Sequence, residues 1–132
     1  MKPTTIKVLY WTFTILFAIL MIFDGIGGVT KQPAGVEVIN HLGYPVYSMV
    51  IFGVAKLLGA LAILQNKYKA IKEWAFAGFA FNFISAFASR TAVGDPVTET
   101  IFPLIMLAVL FVPYFLWKRY DQVQSSLTFK TV

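Results

Sequence analysis

The chain of 132 residues is 58% hydrophobic and 17% aromatic but only 13% charged, too little polar surface to cover a water-soluble globule of this size. Its net charge of +5 lies between apolar blocks and not on one basic face, so it signals membrane orientation and excludes nucleic acid as a partner. With no cysteine, thiol redox chemistry, disulfides, thiolate metal sites and thioether haem attachment are excluded on this chain, and a redox role would fall to a bound cofactor or a partner.

Four apolar segments, expected at residues 8–24, 46–64, 74–89 and 98–117, predict an all-α, integral membrane four-helix bundle in a lipid bilayer. The first follows Lys2 and Lys7, and it continues too far, without a small-residue cleavage pattern, to be a removed signal peptide. Tyr10 and Trp11 stand at its headgroup end, and Asp24-Gly25 with Gly27-Gly28 is expected to end it. In the loop that follows, Pro33 opens a short interfacial helix through Val36, Ile39 and Leu42, closing at Gly43 as a cap on the bundle mouth.

The second segment carries Lys56, and Ala55 with Gly59 forms a small-xxx-small pair for close helix approach. The third presents two faces, one of Gly78, Asn82, Ser85, Ala86 and Ser89, the other of Phe76, Phe79, Phe83 and Phe87. The small, polar face is expected to pack inward. In the fourth, Asp95 is read as the N-cap with Pro96 at the first helical position, and Pro103 and Pro113 as kinks within the helix.

Placing the amino terminus in the cytoplasm puts Lys2, Lys7, Lys67, Lys69, Lys72, Lys118, Arg119 and Lys130 inside, against Lys31 and Arg90 outside. This asymmetry requires an even number of spans with both termini cytoplasmic.

Lys56 is the most informative residue, because an ammonium near the bilayer centre costs at least about 2.5 kcal/mol and must face the bundle interior. Counted from the inner ends of their helices, Lys56 and Asn82 lie at similar depths of about 12 to 14 Å. Asp24 and Glu99 lie nearer the outer surface. Lys56, Asn82, Asp24, His41 and Glu99 are therefore candidates to line a pocket open to the outer side. For Lys56 a structural bridge to Asp24 weighs about equally against a ligand or proton role, and His41 reads as a helix-end residue. The lone histidine and the absence of cysteine give no metal site.

His41-Leu42-Gly43-Tyr44-Pro45, Gly53-Val54-Ala55-Lys56-Leu57-Leu58-Gly59-Ala60 and Lys72-Glu73-Trp74-Ala75-Phe76-Ala77-Gly78-Phe79 together resemble the DoxX-like membrane family. The resemblance implies a four-helix protein of the bacterial inner membrane and importance for His41, Tyr44, Lys56 and Trp74. The family takes its name from a subunit of an archaeal thiosulfate:quinone oxidoreductase, which makes a quinone or another small amphipathic molecule a plausible ligand, although no cofactor motif is evident. Two functions compete: a membrane-embedded small-molecule site, and a noncatalytic subunit or scaffold bound to a membrane-protein partner or to further copies of itself. A transporter ranks third, since four spans leave little room for alternating access.

Overall fold

A computed structural model of the chain describes residues 2–131, with side chains through residue 126. The described residues form helices joined by short turns, without strands: α1 (Pro3–Val29), α2 (Pro33–His41), α3 (Tyr47–Leu64), α4 (Lys69–Ala92), α5 (Val97–Thr100) and α6 (Phe102–Thr131). Three stretches are long and apolar enough to cross a membrane: α1, α3, and Val97–Ser126, which joins α5 to α6. Helix α4 is as long but more polar, with Lys72, Glu73, Asn82 and Arg90 along it.

Proline and glycine set the boundaries. Pro3 and Pro33 occupy first-turn positions of α1 and α2, where a missing amide costs nothing. The Thr30 hydroxyl closes α1 by donating to the Ile26 carbonyl at 2.8 Å. Gly43 (φ 84°) and Gly94 (φ 78°) reverse the chain after α2 and α4 in the left-handed region that side chains disfavour. Between α3 and α4 the turn is tied by Gln65, whose amide nitrogen donates to the carbonyls of Ala62 (2.9 Å) and Tyr68 (3.0 Å) while its oxygen accepts from the Tyr68 amide (2.7 Å).

The long helices form a ring in which α1 packs on α3 and α6, and α4 on the same two, while α2 lies across one end against α3. That end, called here the α2 end, also carries residues 93–96; the opposite turn end carries residues 65–68. Between the ends the interior is apolar apart from the buried Thr14 of α1: Phe17 meets Phe79 edge-on at 5.3 Å between centroids, and Ala60, Ile63 and Leu110 are buried beside them. The outward surface is apolar as well, with Phe23, Leu58, Leu61, Phe81 and Phe115 exposed. In water such a surface would drive aggregation, whereas lipid solvates it.

Five expectations are corrected. The glycines after Asp24 do not end the first helix, which continues to Val29; they let it touch α3. A Cβ on Gly53 would stand 2.6 Å from the Gly25 carbonyl oxygen and 2.8 Å from the Val29 nitrogen, and one on Gly28 2.7 Å from the Met49 carbonyl oxygen. Among the predicted small pair on α3, Ala55 is exposed, while Gly59 gives way to the Phe79 ring.

The faces of α4 are reversed over most of its length: Phe76, Phe79 and Phe83 are buried in the core and Gly78 and Ser85 point outward, while Asn82, Ala86, Ser89 and Phe87 are half-buried. The aromatic stripe wins because it fills the groove that Gly59 opens.

The last expected span also begins differently. Asp95 is not its cap; Pro96 is the residue before α5, and no side chain caps it. The chain then bends at Ile101, so that Pro103 falls in the first turn of α6 and only Pro113 lies inside that helix. Finally, Lys72 is not a water-facing loop lysine but lies inside α4 with its side chain fully buried.

Gly53→Ala is expected to destabilise the protein by about 1–3 kcal/mol, the usual cost of forcing atoms into a packed contact, seen as a lower melting temperature in detergent. Gly78→Ala should be neutral or stabilising, because a Cβ there meets nothing within 4 Å and alanine favours the helix. Equal effects of the two substitutions would contradict the described α1–α3 contact.

Candidate functional site

Most polar side chains collect at the two ends of the ring, with one ion pair between them. Midway along α3, Lys56 donates to Asp24 of α1 through its Nζ. The lysine side chain is 20% exposed and the aspartate 56% exposed, so the pair opens outward instead of lying in the core. Asn82, on α4, makes no side-chain hydrogen bond among the described residues and is not joined to Lys56.

A cluster at the α2 end joins three segments around Asp95, whose side chain is only 4% exposed. His41, the last residue of α2, contacts Oδ1 through Nε2; since a carboxylate only accepts, that imidazole nitrogen carries the proton. Arg90 Nη1 donates to Oδ2 at 3.0 Å and lies 3.5 Å from Glu99 Oε2 on α5. Asp95 thus fastens the end of α2 to the α4–α5 connection. Nearby, the Tyr44 hydroxyl and Ser89 Oγ lie 2.5 Å apart, adding a second tie between the α2–α3 connection and α4.

The hydrogen bond from His41, followed by that from Arg90, holds the Asp95 carboxyl below the usual carboxylate range, against the opposing effect of desolvation. Beside Asp95 a cleft of ≈ 400 Å³ runs between α4 and the α5–α6 break, with Thr91 and Thr100 as further polar groups and Phe87, Ile101 and Leu104 as apolar walls.

The turn end holds a different cluster. Lys72 Nζ donates to the Tyr10 hydroxyl and, at 2.6 Å, to Asn66 Oδ1, which also accepts from Tyr10 at 2.9 Å. The ammonium lies 5.1 Å from the centre of the Trp117 ring, and Tyr120 stacks on Tyr10 at 4.6 Å. An ammonium fully out of solvent is thereby held by two oxygens and aromatic faces, an arrangement that locks α1, α4 and α6 around the turn. Next to it, Glu73 Oε1 accepts from Lys118 Nζ at 2.7 Å and from the Tyr114 hydroxyl at 3.2 Å.

Of the residues picked from sequence, Asp24 and Lys56 are brought together, His41 and Glu99 meet through Asp95 and Arg90, and Tyr44 joins Ser89. Asn82 stands apart, and Trp74 is exposed. Asp95, Arg90, Tyr10, Lys72 and Glu73 were not picked as site residues. A signal for Lys72 was present: it heads the stripe Lys72, Phe76, Phe79, Phe83, whose helical spacing places all four on the buried face. No three metal-ligating side chains gather among the described residues.

Three membrane-length apolar helices in an all-helical chain, with polar groups confined to the helix ends and seams, define a small integral membrane protein. The chain belongs to the DoxX-like family, whose model matches residues 12–112. No curated protein and no solved structure matches it.

Because the folded Asp95 carboxyl titrates below its unfolded value, its stabilising contribution is complete above the ordinary carboxylate range, near pH 4, and is lost as the pH falls through the lower folded value. The melting temperature of Asp95→Asn should therefore lie below that of the wild type at neutral pH, with the gap closing on acidification below about pH 4. A gap that persists unchanged at low pH would show that the charge of Asp95 is not what fastens this end.

Proposed function

We propose that this DoxX-like protein is a four-span protein of the bacterial inner membrane, with the α2 end outside and both termini cytoplasmic, and that its outer cleft binds a small amphipathic molecule. In this reading α4 is the fourth span, its charges gathered near its two ends. The eight cations on the inner side against two outside support the orientation.

The observation that carries the ligand reading is the ≈ 400 Å³ cleft backed by the Asp95 cluster. Its walls are apolar and its polar lining is Thr91, Asp95 and Thr100; Arg90 does not itself line it but, bonded to Asp95 behind that lining, retains guanidinium protons for an acceptor oxygen that reaches past Asp95. Lys56, midway along α3 and 20% exposed beside Asp24, is a further donor outside the cleft's lining. Donors at an apolar cleft suit a ligand bearing carbonyl oxygens on a lipid-soluble body, and a quinone is one such molecule. Within this reading His41, Tyr44 and Glu99 shape the site by holding α2 and α5 in place, and Asn82 remains a candidate on the neighbouring face of α4. A redox role would rest on the bound molecule, since the chain supplies no thiol.

A second reading, a noncatalytic subunit of a larger complex, is favoured by the outward face of α4, where Gly78 and Ser85 leave room for another helix and Asn82 has no hydrogen-bond partner among the described residues.

Saturable quenching of tryptophan emission by a short-chain ubiquinone is expected for the protein in lipid nanodiscs, weakened about tenfold by Arg90→Gln, as for loss of a charge-assisted hydrogen bond. Lys56→Met should reduce binding while the protein stays folded. Quenching that never saturates, or that Arg90→Gln leaves unchanged, would remove the ligand reading and favour the subunit one. For the topology, single cysteines added near either terminus of this cysteine-free chain should both resist an impermeant maleimide applied from outside; labelling of only one would refute an even number of spans.

A further inference from the structure

Among the described residues the acids of the turn end are already taken: Glu73 pairs with Lys118 at 2.7 Å and Asp121 with Lys69 at 2.8 Å. Lys2, Lys7, Lys67 and Arg119 remain exposed there, with no carboxylate partner among the described residues. The end therefore carries a surplus of positive charge that the chain itself does not neutralise.

Three of these cations are brought to one corner by contacts of Tyr10. Lys7 precedes it by about one turn of α1; Lys67 follows Asn66, whose Oδ1 accepts from the Tyr10 hydroxyl at 2.9 Å; and Arg119 precedes Tyr120, whose ring stacks on that of Tyr10 at 4.6 Å. Charges from α1, the α3–α4 turn and α6 thus flank one buried tyrosine. The Lys72 ammonium, held against the Tyr10 hydroxyl, adds its field without being reachable itself.

We propose that this corner is a docking surface for the headgroup of an anionic phospholipid, which lies across Lys7, Lys67 and Arg119. The sign of the partner follows from the unpaired cations, and its kind from the aromatic side chains around them. Trp11 packs its ring 5.0 Å from that of Tyr10, and Tyr68, next to Lys67, is exposed; amphipathic rings of this sort settle at the depth of lipid headgroups. The cations are accordingly set where lipid phosphates lie, and a soluble acidic partner would have no use for the rings.

The other features of the molecule do not compete for the phosphate. A cleft of ≈ 260 Å³ in the α4–α6 seam at the same end is lined by Glu73, Tyr114 and apolar side chains, and by no cation. At the α2 end Lys31 and Arg90 face three acids, Glu37, Asp95 and Glu99, and Arg90 is paired. Only the turn end attracts an anion.

The test is native mass spectrometry of the protein released from nanodiscs that hold phosphatidylglycerol and phosphatidylcholine of the same acyl chains in equal amounts. With both leaflets alike, the result is independent of topology and of the outer cleft. The wild type is expected to retain phosphatidylglycerol at least about tenfold over phosphatidylcholine, and each of Lys7→Gln, Lys67→Gln and Arg119→Gln to lower that ratio about fivefold or less, as for one basic residue at an anionic surface. The triple variant should show no preference and melt as the wild type does, because none of the three side chains makes a hydrogen bond or ion pair among the described residues. Lys31→Asn, which removes a cation from the opposite end, should keep the full ratio. Equal retention of the two lipids by the wild type, a preference that survives the triple substitution, or one lost equally in Lys31→Asn would overturn the proposal. So would displacement of the lipid by an excess of soluble glycerol phosphate, which would make this a site for a free phosphate.

Discussion

A helix bundle in lipid gains nothing from hiding apolar side chains, since the solvent is as apolar as its core; what it must hide is polarity. Here most charged side chains lie at the two ends of the ring, tied there to a neighbour on another element, while between the ends Lys56 is paired with Asp24 and Thr14 is buried in α1. Asp95 gathers His41 and Arg90 at one end, and Lys72 gathers Tyr10 and Asn66 at the other. The rest of the middle is left to phenylalanine packing and to the glycine contact of α1 with α3, which brings backbones close enough for dispersion forces to act where the hydrophobic effect does not.

The same constraint explains why both clefts fall on one seam. Where α1 meets α3, glycines let the backbones touch and leave no space. Where α4 meets α6, the contact is made by bulky side chains opposite alanines, and α6 is preceded by the break at Ile101. Large against small without interdigitation leaves room, at the turn end beside Ala77 and Ala80 and at the other end beside the α5–α6 break. Helix α4 contributes a polar group to each cleft, Glu73 near its start and Thr91 near its end. It is accordingly the most polar of the long helices.

Hydropathy made the helices legible, and α3 lies within one residue of its expected start. Proline also marked α2 correctly, because Pro33 can open a helix but not continue one. The orientation of α4 was not legible, and the reason is physical. In water, charge tells the inside of a helix from the outside; α4 instead has two uncharged stripes of the same period, one aromatic and one small, and either could face a partner. The decision rests on Gly59 of α3, which accommodates Phe79, a contact between segments distant in sequence. Lys72 was misread for a related reason. Counting cations by side of the membrane treats each lysine as solvated, whereas this one ends an aromatic stripe and its stem follows that stripe inward.

The difference between the two ends follows from which charge is left over after pairing. At the α2 end Asp95 is shared by His41 and Arg90, and the arginine, with more protons than acceptors, keeps donor capacity. At the turn end Glu73 spends one oxygen on Lys118 and Tyr114, and its other oxygen is shut away from solvent, so its acceptor capacity is closed off instead of offered.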